Sequence, residues 1–159
     1  MLFRQSEIAR VTGHDLKFVQ VNLIECEPYA LRGWHVSPPE DEHWKIVTCI
    51  QGKVREAVLD VRSNSPTFGF ASYSEMQSPK SVLIIPPGYA HAFQTSENPS
   101  KVIYASTVGY ENSREISIFP RDPLWPIWDP VGEISERDAN ASNFLNWTQG
   151  LNEIQWPTQ

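Results

Sequence analysis

Four residues of different chemical type could together move a proton that is bound to carbon. His35 closes the run Leu31-Arg-Gly-Trp-His35, and Lys45 follows ten residues later in a strand-like stretch. Tyr104 lies in a further strand-like stretch, and Asp138 lies in a polar segment near the C-terminus. A base, a cation, a phenol and a carboxylate are the groups needed to remove and return a proton next to a carbonyl group.

The residues around His35 favour a functional interpretation of this histidine. On an alternating strand Gly33 and His35 would share a face, and Gly33 would leave room for a bulky ligand to approach. A neutral imidazole accepts a proton at physiological pH, and an acidic partner such as Asp138 would fix its tautomer. A hydrogen-bonded histidine of the core or rim is the alternative, which a lone histidine would favour.

Lys45 and Tyr104 each have a structural and a chemical interpretation. Lys45 interrupts an apolar run, so it either faces solvent on an edge strand or points into the interior of the fold, where it would stabilise an oxyanion. Val47 and Cys49 share its face and favour the second interpretation. Tyr104 is either packing material or, with Tyr110 and Glu115 nearby in sequence, part of a group that holds a sugar or supplies a proton.

Composition limits the classes of function. With 159 residues the chain is expected to form one domain over residues 1–159. A net charge of −6 without a basic block disfavours nucleic-acid binding, although a compact anion remains a possible ligand. No stretch approaches the roughly 18 apolar residues that span a bilayer. Two cysteines and no apolar segment at the N-terminus indicate a reducing, cytoplasmic location.

Short strands dominate the predicted secondary structure. Nine strand-like stretches are separated by turns rich in Pro and Gly, which predicts an all-β sandwich or barrel rather than a parallel α/β sheet. A short helix with Ser6 as N-cap and Gly13 as terminator precedes them, and a weak helical pattern over 133–151 is expected to pack on the outside. The predicted strands are 18–24, 30–36, 44–50, 54–61, 68–73, 81–85, 91–95, 101–108 and 115–119.

The segment Pro86-Pro-Gly-Tyr-Ala-His91 resembles the second conserved box of cupin barrels, whose histidine is a metal ligand in the metal-binding members. The first box needs two further histidines and a glutamate, and here His35 stands alone. The polar loop from Glu40 to His43 is expected to face water instead of completing a ligand set. A metal site is therefore not predicted, and His91 is interpreted as a donor that faces a ligand.

Five segments together resemble the dTDP-4-dehydrorhamnose 3,5-epimerase family. They are Leu31-Arg-Gly-Trp-His35, Lys45-Ile-Val47, Val61-Arg-Ser-Asn-Ser-Pro-Thr-Phe-Gly69, Ile85-Pro-Pro-Gly-Tyr-Ala-His-Ala-Phe93 and Ser135-Glu-Arg-Asp138. The resemblance runs from about residue 18 to residue 144. It implies an all-β, cupin-like jelly-roll barrel without metal or other cofactor, usually a homodimer, that acts on nucleotide-linked 4-keto-6-deoxy sugars.

The resemblance also implies roles for individual residues. His35 matches the family's general base, Asp138 its carboxylate partner, Tyr104 the general acid on the opposite face of the sugar, and Lys45 the residue next to the C4 ketone oxygen. Tyr110 matches a second tyrosine of the active site. Further positions that resemble ligand contacts are Gln20, Asn22, Arg32, His91, Glu115 and Arg137.

The leading hypothesis is an isomerase that inverts C3, C5 or both in a nucleoside-diphospho-4-keto-6-deoxy sugar, in deoxysugar or polysaccharide biosynthesis. A single-centre epimerase of a CDP- or GDP-linked keto sugar is a close alternative. A non-catalytic cupin that binds sugar nucleotides is a second alternative, disfavoured because pure binding does not need an acid–base set. A metal-dependent cupin oxygenase or isomerase is a third, disfavoured by the incomplete ligand set.

Overall fold

A computed structural model describes residues 3–38, 41–77, 81–125, 128–130 and 132–149. Within these residues the chain forms nine strands and three short α-helices. The strands are β1 Gln20–Cys26, β2 Leu31–Val36, β3 Lys45–Gln51, β4 Lys53–Asp60, β5 Ala71–Gln77, β6 Leu83–Ile85, β7 Tyr89–Thr95, β8 Ser100–Ser106 and β9 Ile116–Ser117. The helices are α1 Gln5–Thr12, α2 Glu136–Ala139 and α3 Phe144–Gln149.

The strands make two antiparallel sheets that pack against each other. The first sheet has the order β1-β8-β3-β6 and the second the order β5-β4-β7-β2-β9. Apolar side chains of both sheets meet in one buried cluster, with Val47 and Val102 from the first sheet and Val54 and Phe93 from the second. The prediction of an all-β fold is confirmed.

Peripheral segments cover the outer faces of the two sheets. On the first sheet, Ile8 of α1 packs against Ile46 and Ala105. On the second sheet, Phe144 of α3 and Trp125 pack in the cluster that contains Trp34. The predicted peripheral helices are confirmed, and of the predicted segment 133–151 the last two residues lie outside the described residues.

Two local predictions are wrong. Ser6 is not the N-cap of α1, because the helix begins at Gln5 with Arg4 at the cap position and no side-chain capping bond. The predicted end is confirmed by Gly13, whose φ is +75° and whose N–H donates to the carbonyl of Ala9. The strand predicted over 68–73 starts only at residue 71, because the Asp60 carboxylate accepts hydrogen bonds from three side chains that hold the preceding loop in turns: Arg62, Ser65 and Thr67.

A bulge in β2 decides which side chains face the interior. Arg32 lies opposite Phe93 and His35 lies opposite His91, so three steps along β2 match two along β7. Residues directly opposite each other point to the same face, which turns Arg32 and His35 inward while Trp34 packs on the outer face. The prediction that Gly33 and His35 share a face is therefore wrong.

Gly33 itself serves the packing of two strands. Its φ is +103°, and a Cβ atom there would lie 2.5 Å from the carbonyl oxygen of His91 and 2.7 Å from Cα of Ala92. The space expected for a ligand beside Gly33 is thus filled by the backbone of β7.

Candidate active site

His35 and Asp138 form a direct pair on the inner face of the second sheet. Nε2 of His35 lies 2.7 Å from Oδ1 of Asp138, and the Asp138 side chain is fully buried. A carboxylate only accepts hydrogen bonds, so this contact places the ring proton on Nε2 when the imidazole is neutral. Nδ1 of His35 is then the nitrogen with a free lone pair, which is the requirement for a base.

Backbone and hydroxyl groups hold Asp138 in position. Its backbone N–H donates to Oγ of Ser135, the N-cap of α2, and its Oδ2 accepts the backbone N–H of Gly33 at 3.2 Å. Oγ of Ser117 lies 3.4 Å from Oδ1. Burial opposes ionisation, but the hydrogen bonds from His35 and Gly33 outweigh it and keep the pKa of Asp138 below its usual value. The carboxylate is therefore charged and its direction is fixed.

Glu115 links the other charged residues of the site. One carboxylate oxygen accepts a hydrogen bond from Nζ of Lys45, and the other lies 3.2 Å from Nη1 of Arg137 and 3.8 Å from Nδ1 of His35. Burial favours the neutral acid, but the positive charges of Lys45 and His35 outweigh it and hold the pKa of Glu115 far below its usual range. Glu115 is an anion that brings two cations next to the free nitrogen of His35.

Lys45 points into the interior of the molecule. Its side chain is almost completely buried, and on β3 the residue lies opposite Ser106 of β8 and Ile85 of β6. Val47 and Cys49, two and four residues further along β3, belong to the cluster between the sheets. An ammonium group here stabilises negative charge more strongly than one in bulk water would.

Tyr104 lies on β8, where it is opposite Asn22 on one side and Val47 on the other. Burial of the phenol, and then the charges of Glu115 and Tyr110, raise the pKa of Tyr104 above its usual value. The phenol is therefore protonated at neutral pH and lies within the electrostatic influence of Glu115. The charge of Glu115 therefore acts on Tyr104, His35 and Lys45, which with Asp138 form an electrostatic cluster.

The predicted ligand contacts fall into two groups. Near the cluster, Gln20 donates to Oδ1 of Asn22 at 3.0 Å and accepts the backbone N–H of Tyr110 at 2.6 Å. Nδ2 of Asn22 is buried and has no hydrogen-bond partner among the residues that the structure describes, whereas the Tyr110 side chain is 81% exposed. Arg32 forms the second group. Its guanidinium group donates to the carboxylate of Glu133 at 2.8 Å, and Glu133 is not a member of the cluster.

His91 lies beside His35 and is nearly inaccessible to solvent. The two rings are 6.3 Å apart between centroids, in an edge-to-face arrangement. Burial, followed by the charges of Lys45 and His35, lowers the pKa of His91 well below its usual value. His91 is therefore neutral, with one N–H donor and one acceptor nitrogen.

Sequence reasoning missed several residues that the structure places at the site. Ser117 and Ser135 contact Asp138 as described above, and their side chains carry no sequence signal beyond the N-cap pattern at Ser135. Glu56 is fully buried on β4 between Val54 and Val58, and its position in that alternating apolar face was a signal. The alternation with Val54 and Val58 predicts that this acidic residue points inward.

The expectation that the loop from Glu40 to His43 faces water is wrong for His43. This side chain is buried and its Nδ1 makes a hydrogen bond with Oγ of Ser37. His43 lies two residues before Lys45, the first residue of β3. Extending the strand alternation back by two residues therefore predicts that the His43 side chain points inward, as Lys45 does. Glu40 lies outside the described residues.

Over the described ranges, no three His, Cys, Asp or Glu residues are grouped so that they could hold a metal ion. In the same part of the chain, no helix is long and apolar enough to cross a membrane.

A cavity of about 570 Å³ is lined by Trp44 and Thr107, among other residues. These two residues directly adjoin Lys45 and Ser106 in sequence, so their side chains point to the opposite face of the sheet. The cavity is therefore distinct from the cluster around His35.

Comparison with known proteins gives a consistent family. The sequence model of the family described as dTDP-4-dehydrorhamnose 3,5-epimerase matches residues 1–146. A relative from Mycobacterium tuberculosis with the same name is 34% identical over 138 residues, which are 83% of this chain and 68% of the relative.

Solved structures agree with the sequence match. A 3'-monoepimerase from Streptomyces bikiniensis in complex with dTDP-quinovose is 30% identical, with a TM-score of 0.88 over 98% of this chain and 80% of the other. A dTDP-6-deoxy-D-glucose-3,5-epimerase from Legionella pneumophila in complex with dTDP-4-keto-L-rhamnose is 27% identical, with a TM-score of 0.84 over 100% of this chain and 85% of the other. The arrangement of the two sheets is thus that of the cupin-like epimerases, as predicted.

Proposed function

Because the chain belongs to the dTDP-4-dehydrorhamnose 3,5-epimerase family, we propose that it inverts C3, C5 or both in a nucleoside-diphospho-4-keto-6-deoxy sugar. The observation that carries the proposal is the cluster of His35, Asp138, Lys45 and Tyr104, which come from three strands and one helix. These side chains supply a base, its orienting carboxylate, a buried cation and a protonated phenol.

The chemistry begins with a proton next to the C4 ketone. The ketone acidifies the C–H bonds at C3 and C5, and His35 takes one of these protons on Nδ1 while Asp138 stabilises the imidazolium ion. The electron pair of the broken bond moves onto the ketone oxygen, and the ammonium group of Lys45 stabilises the resulting enolate. Positioned acid–base groups of this kind contribute roughly 10²–10⁴-fold in rate.

Inversion requires that the proton returns from the opposite face of the ring. In our proposal Tyr104 donates its phenolic proton to the carbon, which becomes bonded to hydrogen on its other side. The cycle leaves an imidazolium ion on His35 and a phenolate on Tyr104, and exchange with water restores both. A solvent proton therefore enters the product at each inverted carbon.

Substrate binding is proposed for the residues at the edge of the cluster. Nδ2 of Asn22 is a buried donor that no described residue satisfies, which supports a role in binding the ligand. Gln20 and Tyr110 are joined by a hydrogen bond, and the guanidinium group of Arg137 is 47% exposed, which suits contact with a diphosphate. For Arg32 and His91 we propose ligand contacts as well, with Arg32 exchanging Glu133 for the ligand.

Deuterium exchange tests the proposal and identifies the substrate. The protein is incubated in D₂O with dTDP-, CDP- and GDP-linked 4-keto-6-deoxyglucose, and NMR follows deuterium at C3 and C5. We expect incorporation with one nucleotide at one or both carbons, and none with the His35→Asn variant. Relatives include both 3,5-epimerases and 3-epimerases, so the carbon must be measured. Absence of exchange with all three substrates would favour the non-catalytic binding protein instead.

We also propose that the protein is a homodimer that pairs through the edge strand β1. Val19, Val21 and Leu23 alternate along the edge of the first sheet and are all more than half exposed. An exposed apolar row on an edge strand is unfavourable in a monomer and suits a second copy of the chain. Light scattering should show a dimer that Val21→Lys dissociates, while Val11→Lys, an equally exposed valine on α1, leaves it intact. A monomeric parent protein contradicts the proposal.

A cytoplasmic location completes the proposal. Both cysteines, Cys26 and Cys49, are free thiols inside the core, which is usual in a reducing compartment. Cell fractionation of the tagged protein tests the location directly.

A further inference from the structure

Glu56 is a buried carboxyl group that the proposed chemistry does not use. It lies on the inner face of β4 and is fully buried, and within the described part of the chain neither of its carboxyl oxygens has a hydrogen-bond partner. Burial without compensating contacts is costly for a charged carboxylate, and it raises the pKa of Glu56 to about 8. Such a group is mostly in its neutral form at physiological pH and has a proton to donate.

A polar group on the neighbouring strand faces Glu56. Nδ1 of His91 is 3.8 Å from Oε2 of Glu56, and this buried nitrogen also lacks a hydrogen-bond partner among the described residues. The separation exceeds a hydrogen bond by about 1 Å, which a small rotation of either side chain closes. Two buried groups without partners therefore face each other, immediately behind the ring that packs against His35.

We propose that Glu56 is a positioning residue for His91: its carboxyl O–H donates to Nδ1 of the ring and thereby keeps Nε2 as the N–H donor that faces the substrate. A carboxylic acid is a strong donor and an imidazole nitrogen a strong acceptor, so this direction is favoured over the reverse. This inference rests on the proposed function, in which His91 contacts an anionic nucleotide sugar. A donor suits an anion, whereas an Nε2 lone pair would repel it.

The charges around the pair favour the same state. His91 faces Lys45 on β3, His35 on β2, His43 in the loop before β3 and Glu115 before β9, in addition to Glu56 on β4. Three of these groups oppose a positive charge on the ring and lower its pKa, so His91 stays neutral. The tautomer, rather than the charge, is then the property that Glu56 controls.

The tautomer should reverse when Glu56 loses its proton. Above about pH 8 the carboxylate can only accept, so Nδ1 of His91 becomes the N–H nitrogen and Nε2 the lone-pair nitrogen. Glu56→Gln retains a donor that does not titrate, because its amide N–H can take the place of the acid O–H. Glu56→Leu fills the space without a donor.

Histidine NMR on the free protein tests the inference. We label the four histidines with ¹⁵N, assign the ring of His91 with a His91→Asn variant, and record its tautomer well below pH 8 and again above it. We expect Nε2–H below pH 8 and Nδ1–H above it in the parent protein, and Nε2–H at both pH values in Glu56→Gln. An Nδ1–H ring below pH 8, or the same tautomers in Glu56→Leu as in the parent protein, overturns the inference.

Binding of dTDP, with CDP and GDP as parallel probes, supplies the functional measurement. Calorimetry should show an affinity that falls above pH 8 in the parent protein, stays constant in Glu56→Gln, and is roughly tenfold lower at all pH values in Glu56→Leu. Glu75→Gln, on the adjacent strand β5 and paired with Lys53, is the matched control and should behave like the parent protein. A fall in affinity above pH 8 that persists in Glu56→Gln contradicts the inference. Failure of the proposed function would instead appear as absent deuterium exchange with the NMR result unchanged.

Discussion

Nε2 of His35 lies 2.7 Å from Oδ1 of Asp138, although the two residues are 103 positions apart in the sequence. The same carboxylate accepts the backbone N–H of Gly33, two residues before His35. Asp138 therefore orients both the imidazole ring and the bulge from which it projects. The orientation leaves Nδ1 of the ring free, on the side where Lys45, Glu115 and Arg137 meet.

Asp138→Asn should lower turnover without unfolding the protein. The amide has the size of the carboxylate and still accepts the N–H of Gly33, but it no longer stabilises the imidazolium ion that His35 forms. We expect kcat to fall roughly 10²–10⁴-fold with a small change in KM. Ser117→Ala, which removes only the 3.4 Å contact to the same carboxylate, is the control and should stay within a few-fold of the parent protein. A kcat for Asp138→Asn equal to that of the control would exclude Asp138 as the partner of the base.

Gly33→Ala should affect both folding and activity. A methyl group at Gly33 meets the backbone of β7 at 2.5 Å and must also adopt a φ of +103°. The matched variant is Gly13→Ala, where φ is +75° but the added Cβ would meet no atom of the described residues within 4 Å. Positive φ alone costs about 1 kcal/mol or somewhat more. We expect chemical denaturation to show a clearly larger loss for Gly33→Ala, with reduced kcat at temperatures where the variant remains folded. Equal losses would show that strand packing is not the constraint.

Local pattern predicted the strands and the inward direction of Lys45, because Val47 and Cys49 alternate with it on β3. It did not predict the bulge in β2, since a bulge depends on how β2 pairs with β7 and not on its own residues. The pairing of Lys45 with Glu115 joins residues 70 positions apart, so it follows from tertiary structure alone. The roles of the site residues came from the family resemblance and stay predictions, as does the single domain over residues 1–159.

Lys45→Met should separate binding from chemistry. Methionine fills the space of the lysine stem but removes the cation that stabilises the enolate, so kcat should fall by two or more orders of magnitude while dTDP affinity changes little. Glu115 keeps its contact to Arg137, which limits the cost of the lost ion pair. Lys101→Met, which breaks the exposed pair with Glu25, is the control for charge removal. Retained turnover in Lys45→Met would assign the oxyanion to another group.

Chelation should leave activity unchanged. His35, the histidine at the first cupin box, is held by Asp138 instead of by a set of metal ligands, and His91 faces Glu56. We therefore expect equal kcat before and after dialysis against EDTA, and equal kcat when Zn²⁺, Mn²⁺ or Fe²⁺ is added back. Elemental analysis of the dialysed protein is the control that metal was removed. Activity that disappears with the metal and returns with one of these ions would revive the metal-dependent cupin.

Glu56 should make the protein less stable as the pH rises. Its pKa is raised from 4.5 to about 8 in the folded state by burial, so between these values the folded state binds a proton that the unfolded state has released. Under this condition the free energy of unfolding decreases with increasing pH, and the decrease ends once Glu56 ionises in the folded state too. Glu56→Gln cannot titrate and should show a flatter profile from pH 4.5 to pH 8, with a higher melting temperature than the parent protein at the upper end. Glu75→Gln retains the buried acid and should keep the parent slope, so parallel profiles for all three proteins would show that Glu56 is already ionised at neutral pH.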